Sequence, residues 1–345
     1  MTFYIFIFAG IFSLTVCFFS FRLGTVFSIM DIPDGKRKLH SRPVPLIGGI
    51  ASMIPVVLTA LILSKFSDFE KLYLVFGIGT LMLFILGLVD DIRNIPAIFR
   101  LFFSIIVSIL VILFVPGLAV TFIIFSPETQ SFFGGPYFLN FVPGLIFTTI
   151  CLVGFQNAVN MADGNNGIVT GMSMVWSLLL VSYAPSHLLP LLITFIICIN
   201  AVMLFNLAGR LFLGDAGTYG ISMIIGLTTL YIYNINFTFL SADKIVLMFL
   251  IPILDTIRLM TYRLIKGRSP FSSDREHFHH ILRKFLPASL SIVFYLSMVA
   301  LPCLFVRFFH NLTFLFIGIV FFLYVLIIFL YEVSKYKFIT DINSE

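Results

Sequence analysis

Three observations predict an all-α integral membrane protein: a composition too apolar for water, a succession of hydrophobic stretches of spanning length, and a one-sided distribution of basic residues. Sixty per cent of the 345 residues are hydrophobic and 11% are charged, with mean hydropathy +1.10. A soluble domain carries about 25% charged residues. The 43 phenylalanines suit lipid-facing surfaces and carry no chemistry of their own. Cys17, Cys151, Cys198 and Cys303 lie inside apolar runs without paired or metal-like spacing, so they read as small core hydrophobes.

A helix needs about 20 apolar residues to cross the hydrocarbon core. About eleven stretches qualify: 3–22, 46–64, 73–89, 99–116, 141–158, 167–184, 188–206, 216–234, 244–262, 290–306 and 313–331. Within 117–140 the apolar run is too short to span, and the segment reads as an external loop with a short hairpin. The first stretch lacks a basic leader and a small-residue cleavage site, so it reads as an uncleaved helix.

Seventeen of the 21 Lys and Arg residues fall on one side of these spans, leaving Lys65, Lys71, Lys244 and Arg307 on the other. The positive-inside rule makes the richer side cytoplasmic, with the N-terminus outside and the C-terminus inside. The formal charge of +5 is then topological bias first and attraction to anionic lipid second; nucleic acid is not implied. The longest cytoplasmic segments, 24–45 and 263–289, are too short for a core of their own. Residues 1–335 therefore read as a single polytopic domain and 336–345 as a short cytoplasmic tail.

Five polar patches interrupt the apolar chain, and the span count puts all five on the cytoplasmic face: 31–49 (DIPDGKRKLHSRPVPLIGG), 89–94 (VDDIRN), 157–167 (NAVNMADGNNG), 209–220 (GRLFLGDAGTYG) and 268–280 (RSPFSSDREHFHH). Polar groups at a membrane are costly unless they bind something. Asp90 and Asp91 are adjacent carboxylates at a span end; alone, they are as consistent with a solvated helix terminus as with a site. Asn157 and Asn160 share a helical face at i, i+3, and Asp163 continues it. Asp215 stands at a helix start, where it would serve as an N-cap or where a phosphate group would meet backbone N–H groups.

His277 and His280 are i, i+3 neighbours, with His279 turned partly away. Without a thiolate or an H-E-x-x-H spacing they do not read as a zinc site; beside Arg275, Arg283 and Lys284 they suit an anion. The basic run Lys36–Lys38, with His40, precedes two prolines and Gly48-Gly49, a shaped loop. Asp255 and Arg258, inside the ninth span, read as a structural ion pair. Acids for a divalent cation, bases for phosphates and amides for a polar ligand favour an enzyme of phosphoryl transfer, whose catalysis is positioning and charge neutralisation.

The ordered set D-x-P-x-x-R/K-K-x-H-x-x-P-x-P-x-x-G-G, DD, N-x-x-N-x-x-D-G, GD-x-G and P-F-S-x-D-R-x-H-x-H-H resembles the polyprenyl-phosphate N-acetylhexosamine-1-phosphate transferases, glycosyltransferase family 4, over residues 1 to about 335. Its ending is similar to the undecaprenyl-phosphate GlcNAc-1-phosphate transferase branch. The resemblance implies transfer of a sugar 1-phosphate from a UDP-N-acetylhexosamine, UDP-GlcNAc first, to undecaprenyl phosphate at a bacterial inner membrane. UMP would be released and a lipid-linked envelope glycan begun.

The resemblance further implies Mg²⁺, with Mn²⁺ able to substitute, on Asp215 and Asp91. It assigns catalytic roles to Asp90, Asp91, Asn157 and Asp163. Substrate contacts fall to Lys38, His40, Asn160, Asn166, Arg275, His277, His279 and His280; a homo-oligomer is compatible with it. This sequence departs from the pattern at Asn166, where the family often has an acid, at Thr218 for Ser, and at Ser104, where R-L-x-x-Q carries Gln. The alternatives are a phospho-N-acetylmuramoyl-pentapeptide transferase or a UDP-FucNAc/QuiNAc-specific variant. A secondary transporter would carry mid-membrane charges and matching halves, which this chain lacks.

Overall fold

The computed structural model describes residues 1–33, 42–270 and 276–342. Lys38, His40 and Arg275, expected to contact substrate, lie outside the described residues. Apart from short turns the described chain is helical: α1 (Thr2–Phe18), α2 (Ser20–Val26), α3 (Gly48–Phe66), α4 (Glu70–Arg93), α5 (Ala97–Phe114), α6 (Pro127–Phe133), α7 (Phe141–Ala162), α8 (Ile168–Val181), α9 (Leu189–Leu207), α10 (Gly214–Asn236), α11 (Ala242–Ile265), α12 (Phe278–Phe285), α13 (Ala288–Phe308) and α14 (Thr313–Ile342). Two antiparallel two-residue pairs accompany them: β1 (Met30–Asp31) with β2 (Val44–Pro45), and β3 (Phe122–Ile123) with β4 (Tyr137–Phe138). The second pair is the short hairpin expected within 117–140.

Among the described residues eight helices are long and apolar enough to cross a membrane, and a ninth span results if α1 and α2, bent by 70° at Phe19, act together. This is a multi-pass membrane protein, with fewer qualifying helices than the eleven expected. Expected span 167–184 is α8, 14 residues long, or about 21 Å at 1.5 Å per residue against a hydrocarbon core of about 30 Å. Expected span 216–234 is α10, whose 23 residues are long enough but rich in Gly, Thr and Tyr.

The chain packs as two compact units: residues 1–123 with 136–240, and 124–135 with 241–345. In the first unit α10 is central, with 18 of its 23 residues buried, and it packs most extensively on α4, with α3, α7 and α8 around it. Between apolar helices in lipid no hydrophobic force favours association, so close packing through small residues must supply it. Gly87 does this: a Cβ there would collide with the Asp215 backbone. The Ser13 hydroxyl donates to the Ala51 carbonyl at 2.8 Å, tying α1 to α3.

In the second unit α11 packs on α13 and α14, and α12 rests on α13. At its start, Asp243 accepts from the Ser126 N–H (2.9 Å) and the Thr129 hydroxyl (2.7 Å), which fastens the α6 segment to α11.

Candidate active site

Helix ends bring three of the polar patches together at one end of the first unit. Helix α4 stops because Asn94 takes a left-handed conformation (φ 51°) just before Pro96, which leaves Asp90 and Asp91 in its last turn. Consecutive helical residues point about 100° apart, so the two acids face different partners. Asp90 is buried; it accepts from the Ile95 N–H at 2.6 Å and from Arg100 Nη1.

Asp91 accepts from the Asp215 N–H at 2.8 Å and the Ala216 N–H at 3.0 Å. First-turn N–H groups have no partner within their own helix and attract negative charge. The anion at the start of α10 is therefore the Asp91 carboxylate, supplied by α4. The start of α10 is consequently neither capped by Asp215 itself nor left as an open phosphate cradle. Gly214 permits this: its φ is +75°, and a Cβ there would lie 2.7 Å from Asp91 Oδ2.

Helix α7 contributes Asn160, whose amide donates to Asp215 Oδ1 at 2.5 Å and to Thr218 Oγ1 at 3.1 Å. The Thr218 hydroxyl in turn donates to the Asp215 carbonyl at 3.1 Å, so threonine keeps the hydroxyl of the serine it replaces. Asn157 folds back instead, donating to the Val153 carbonyl of its own helix at 2.8 Å; of the two asparagines expected on one face, only Asn160 bonds to an acid. Asp163 lies just past the end of α7, where burial, reinforced by the Asp91 charge, pushes its carboxyl up to about 7. Asn166 occupies the following turn beside Gly209.

Three residues outside the sequence-derived site set, Arg100, Gln156 and Asn206, complete this end, with Ser104 beside them. Arg100 from α5 bonds Asp90 and lies 3.6 Å from Asp215, and its Nε is buried without a hydrogen-bond partner. Ser104, where the family pattern has Gln, accepts a 2.8 Å bond from the Gln156 amide, so a glutamine reaches this point from α7. Asn206 accepts from the Gly167 N–H (2.7 Å) and donates to the Leu211 carbonyl (3.0 Å), stitching two loops together. Their shared sequence signal is an amide or cation set in or beside an apolar helix. From the first patch, Gly48 and Gly49 open α3, and their N–H groups donate to the carbonyls of Phe212 and Leu213 at 3.0 and 2.8 Å.

Electrostatically the cluster is incomplete. Unit charges about 4 Å apart interact by about 4 kcal/mol at an effective dielectric near 20. One guanidinium cannot offset Asp90, Asp91 and Asp215, and the three acids with Arg100 leave a formal charge of about −2. Among the described residues no three His, Cys, Asp or Glu side chains form a metal cage. Mg²⁺ does not need one; it binds through one or two carboxylates plus substrate phosphates. The donor set and its surplus charge fit such an ion.

The second unit carries a different arrangement around Asp255 on α11. It accepts from Arg258 Nη2 at 2.7 Å, the Tyr324 hydroxyl at 3.0 Å, and the Phe278 N–H at 3.1 and 3.2 Å, while His277 Nδ1 lies 3.2 Å away. The expected Asp255–Arg258 tie is present. His279 is 2% exposed, its Nε2 has no hydrogen-bond partner, and burial with His280 and His277 nearby holds it well below the usual histidine range. His279 is thus a neutral ring at pH 7, whereas His280 is partly exposed.

The residues meeting at Asp91 and Asp215 fall inside a segment, 73–233, that matches the model of glycosyl transferase family 4. The undecaprenyl-phosphate alpha-N-acetylglucosaminyl 1-phosphate transferase of Yersinia pestis is 30% identical over 293 residues, 81% of this chain and 76% of the relative. This chain belongs to glycosyl transferase family 4. Transferases of the same description from Escherichia coli O157:H7 and Thermotoga maritima are 28% identical over 287 residues and 26% identical over 275. These alignments cover 79% and 77% of this chain, and 74% and 79% of the relatives. This family 4 member is a membrane transferase.

Proposed function

We propose that this protein transfers a sugar 1-phosphate from a UDP-N-acetylhexosamine, UDP-GlcNAc foremost, to undecaprenyl phosphate at the cytoplasmic face of a bacterial inner membrane. The observation that carries the reading is the under-compensated acid cluster of Asp90, Asp91 and Asp215 around Arg100. An oxygen of the lipid phosphate attacks the sugar-bearing phosphorus of the donor. A new P–O bond forms, the P–O bond to UMP breaks, and UMP leaves with the electron pair. A phosphate monoester has its second pKa near 6, so the acceptor is mostly dianionic at pH 7 and UMP departs as a dianion. The exchange balances without a proton.

The difficulty is bringing two anions together. Mg²⁺, held by Asp215 with Asp91, would supply charge neutralisation between the phosphates. Arg100 adds a fixed cation at the same place, and Asn160 orients Asp215 through its 2.5 Å bond. Asp90, with one oxygen on Arg100 and the other on the Ile95 N–H, is suited to hold Arg100 rather than to take a proton. Asp163, the Asn166 turn and the histidines of 277–280 are the remaining candidates for donor contact.

The test is membranes or purified protein supplied with undecaprenyl phosphate, Mg²⁺ and a panel of labelled UDP-sugars that includes GlcNAc, FucNAc, QuiNAc and MurNAc-pentapeptide. UMP release with lipid-linked GlcNAc is the expected result; no UMP from any donor sinks the reading. Asp90→Asn should lose rate equally across pH, whereas a loss recovered at high pH would make Asp90 a base.

A further inference from the structure

Asp255 gathers more donors than an ion pair needs. Around its buried carboxylate stand Arg258, the Tyr324 hydroxyl, the Phe278 backbone N–H and His277 Nδ1. Arg258 also donates from Nε to the Tyr324 hydroxyl at 2.8 Å and from Nη2 to the Glu276 carbonyl, so the backbone on both sides of His277 is fastened to the same node. The His277 ring lies parallel to that of His279, 9° apart with centroids at 5.5 Å, and His280 stands at 6.4 Å. Both the backbone and the plane of His277 are fixed.

An ionised carboxylate can only accept. Facing one, His277 Nδ1 must be the protonated nitrogen, which leaves Nε2 with the lone pair in the neutral ring. We propose that Asp255 is a positioning residue that holds His277 as the Nδ1–H tautomer, so that Nε2 is the nitrogen offered to substrate. Neutral, Nε2 accepts from a ligand hydroxyl or N–H; once protonated, it donates along a fixed direction to a phosphate oxygen. A residue serving only to tie α11 to the start of α12 would need Arg258 and Phe278, not a specific imidazole nitrogen. The inference rests on the transferase reading above for what Nε2 meets, but the tautomer can be read without turnover.

The test is ¹⁵N NMR of histidine-labelled full-length protein in detergent micelles at pH 8, with His277→Asn used to assign the ring. A protonated Nδ1 and unprotonated Nε2 in the wild type are expected; the opposite tautomer, or a mixture of the two, overturns the proposal whether or not any variant folds. In Asp255→Asn the carboxamide can still accept from Phe278 while its NH₂ faces Nδ1, which moves the ring proton to Nε2. That variant should lose roughly 10- to 100-fold in kcat/KM, the cost seen when the partner behind a metal-bound histidine is removed. Wild-type kcat/KM per folded Asp255→Asn molecule would also overturn it. Absence of transfer by the wild type with every donor would sink the transferase reading alone.

Discussion

The acid cluster of the first unit and the Asp255 node of the second use the same groups to opposite ends. In the first, three carboxylates share one guanidinium, the Asn160 amide and three backbone N–H groups, two of them from a helix start. In the second, one carboxylate collects a guanidinium, a hydroxyl, a backbone N–H and an imidazole. A surplus of negative charge is capacity for a cation or a cationic transition state, while a surplus of donors closes a carboxylate into the fold. Charged residues in a membrane protein are therefore sorted by what they leave unpaid, not by how deeply they sit.

The difference can be broken at several points. Asp215→Asn, which removes charge without removing volume, should cut turnover by about 10³-fold or more, the scale attached to preorganised electrostatic groups. Its melting temperature should stay near wild type, because Asn160 keeps an oxygen to bond; activity retained in this variant would make the cluster structural. Arg258→Met should act the other way. Stranding a buried carboxylate costs about 3–5 kcal/mol, so it should appear as loss of thermal stability in detergent, and an unchanged melting temperature would show the node is not closed.

Gln156→Leu deletes one buried bond while Ser104 keeps its link to the Arg100 carbonyl. It should cost about 1 kcal/mol of stability, read from the same melting curves. A pH-dependent effect concerns Asp163, whose carboxyl sits near 7 when folded and near 3.9 unfolded. Its proton is held more tightly by the folded state, so its contribution favours folding below about pH 4 and is progressively lost as pH rises through 7. In EDTA, Asp163→Asn should raise the melting temperature at pH 8 by a few degrees and leave it unchanged at pH 4; added Mg²⁺ should narrow the gap at pH 8.

Much of this was legible in the chain because order and composition carry it. The spans at 46–64, 73–89 and 244–262 correspond to α3, α4 and α11, the last two longer than expected, and GD-x-G, DD and N-x-x-N-x-x-D announce their residues directly. Tertiary partnerships are not written locally. Nothing next to Asp91 says that its oxygens cap a helix starting more than a hundred residues later. Nothing next to Asn157 says that it turns back to Val153 while Asn160 reaches Asp215. Gln156 and Asn206 looked like isolated polar residues in greasy helices, and Arg100 showed only as the head of the R-L-x-x-Q run, with no role attached. The apolar run 167–184 misled on length because it was carried through Ser182–Ala184 to Pro185, whereas the helix stops at Val181.

The contact at Gly87 has a consequence for exchange with solvent. Helices α4 and α10 meet there backbone to backbone, with no side chain whose rotation could open a gap. The Asp215 and Ala216 amides belong to a first helical turn, the part of a helix that ordinarily trades its hydrogens soonest. Clamped by Asp91 and roofed by this contact, they should be among the last amides at this end of the molecule to take up deuterium. Gly87→Ala should release them early, even in a protein whose other helices still hold their hydrogens.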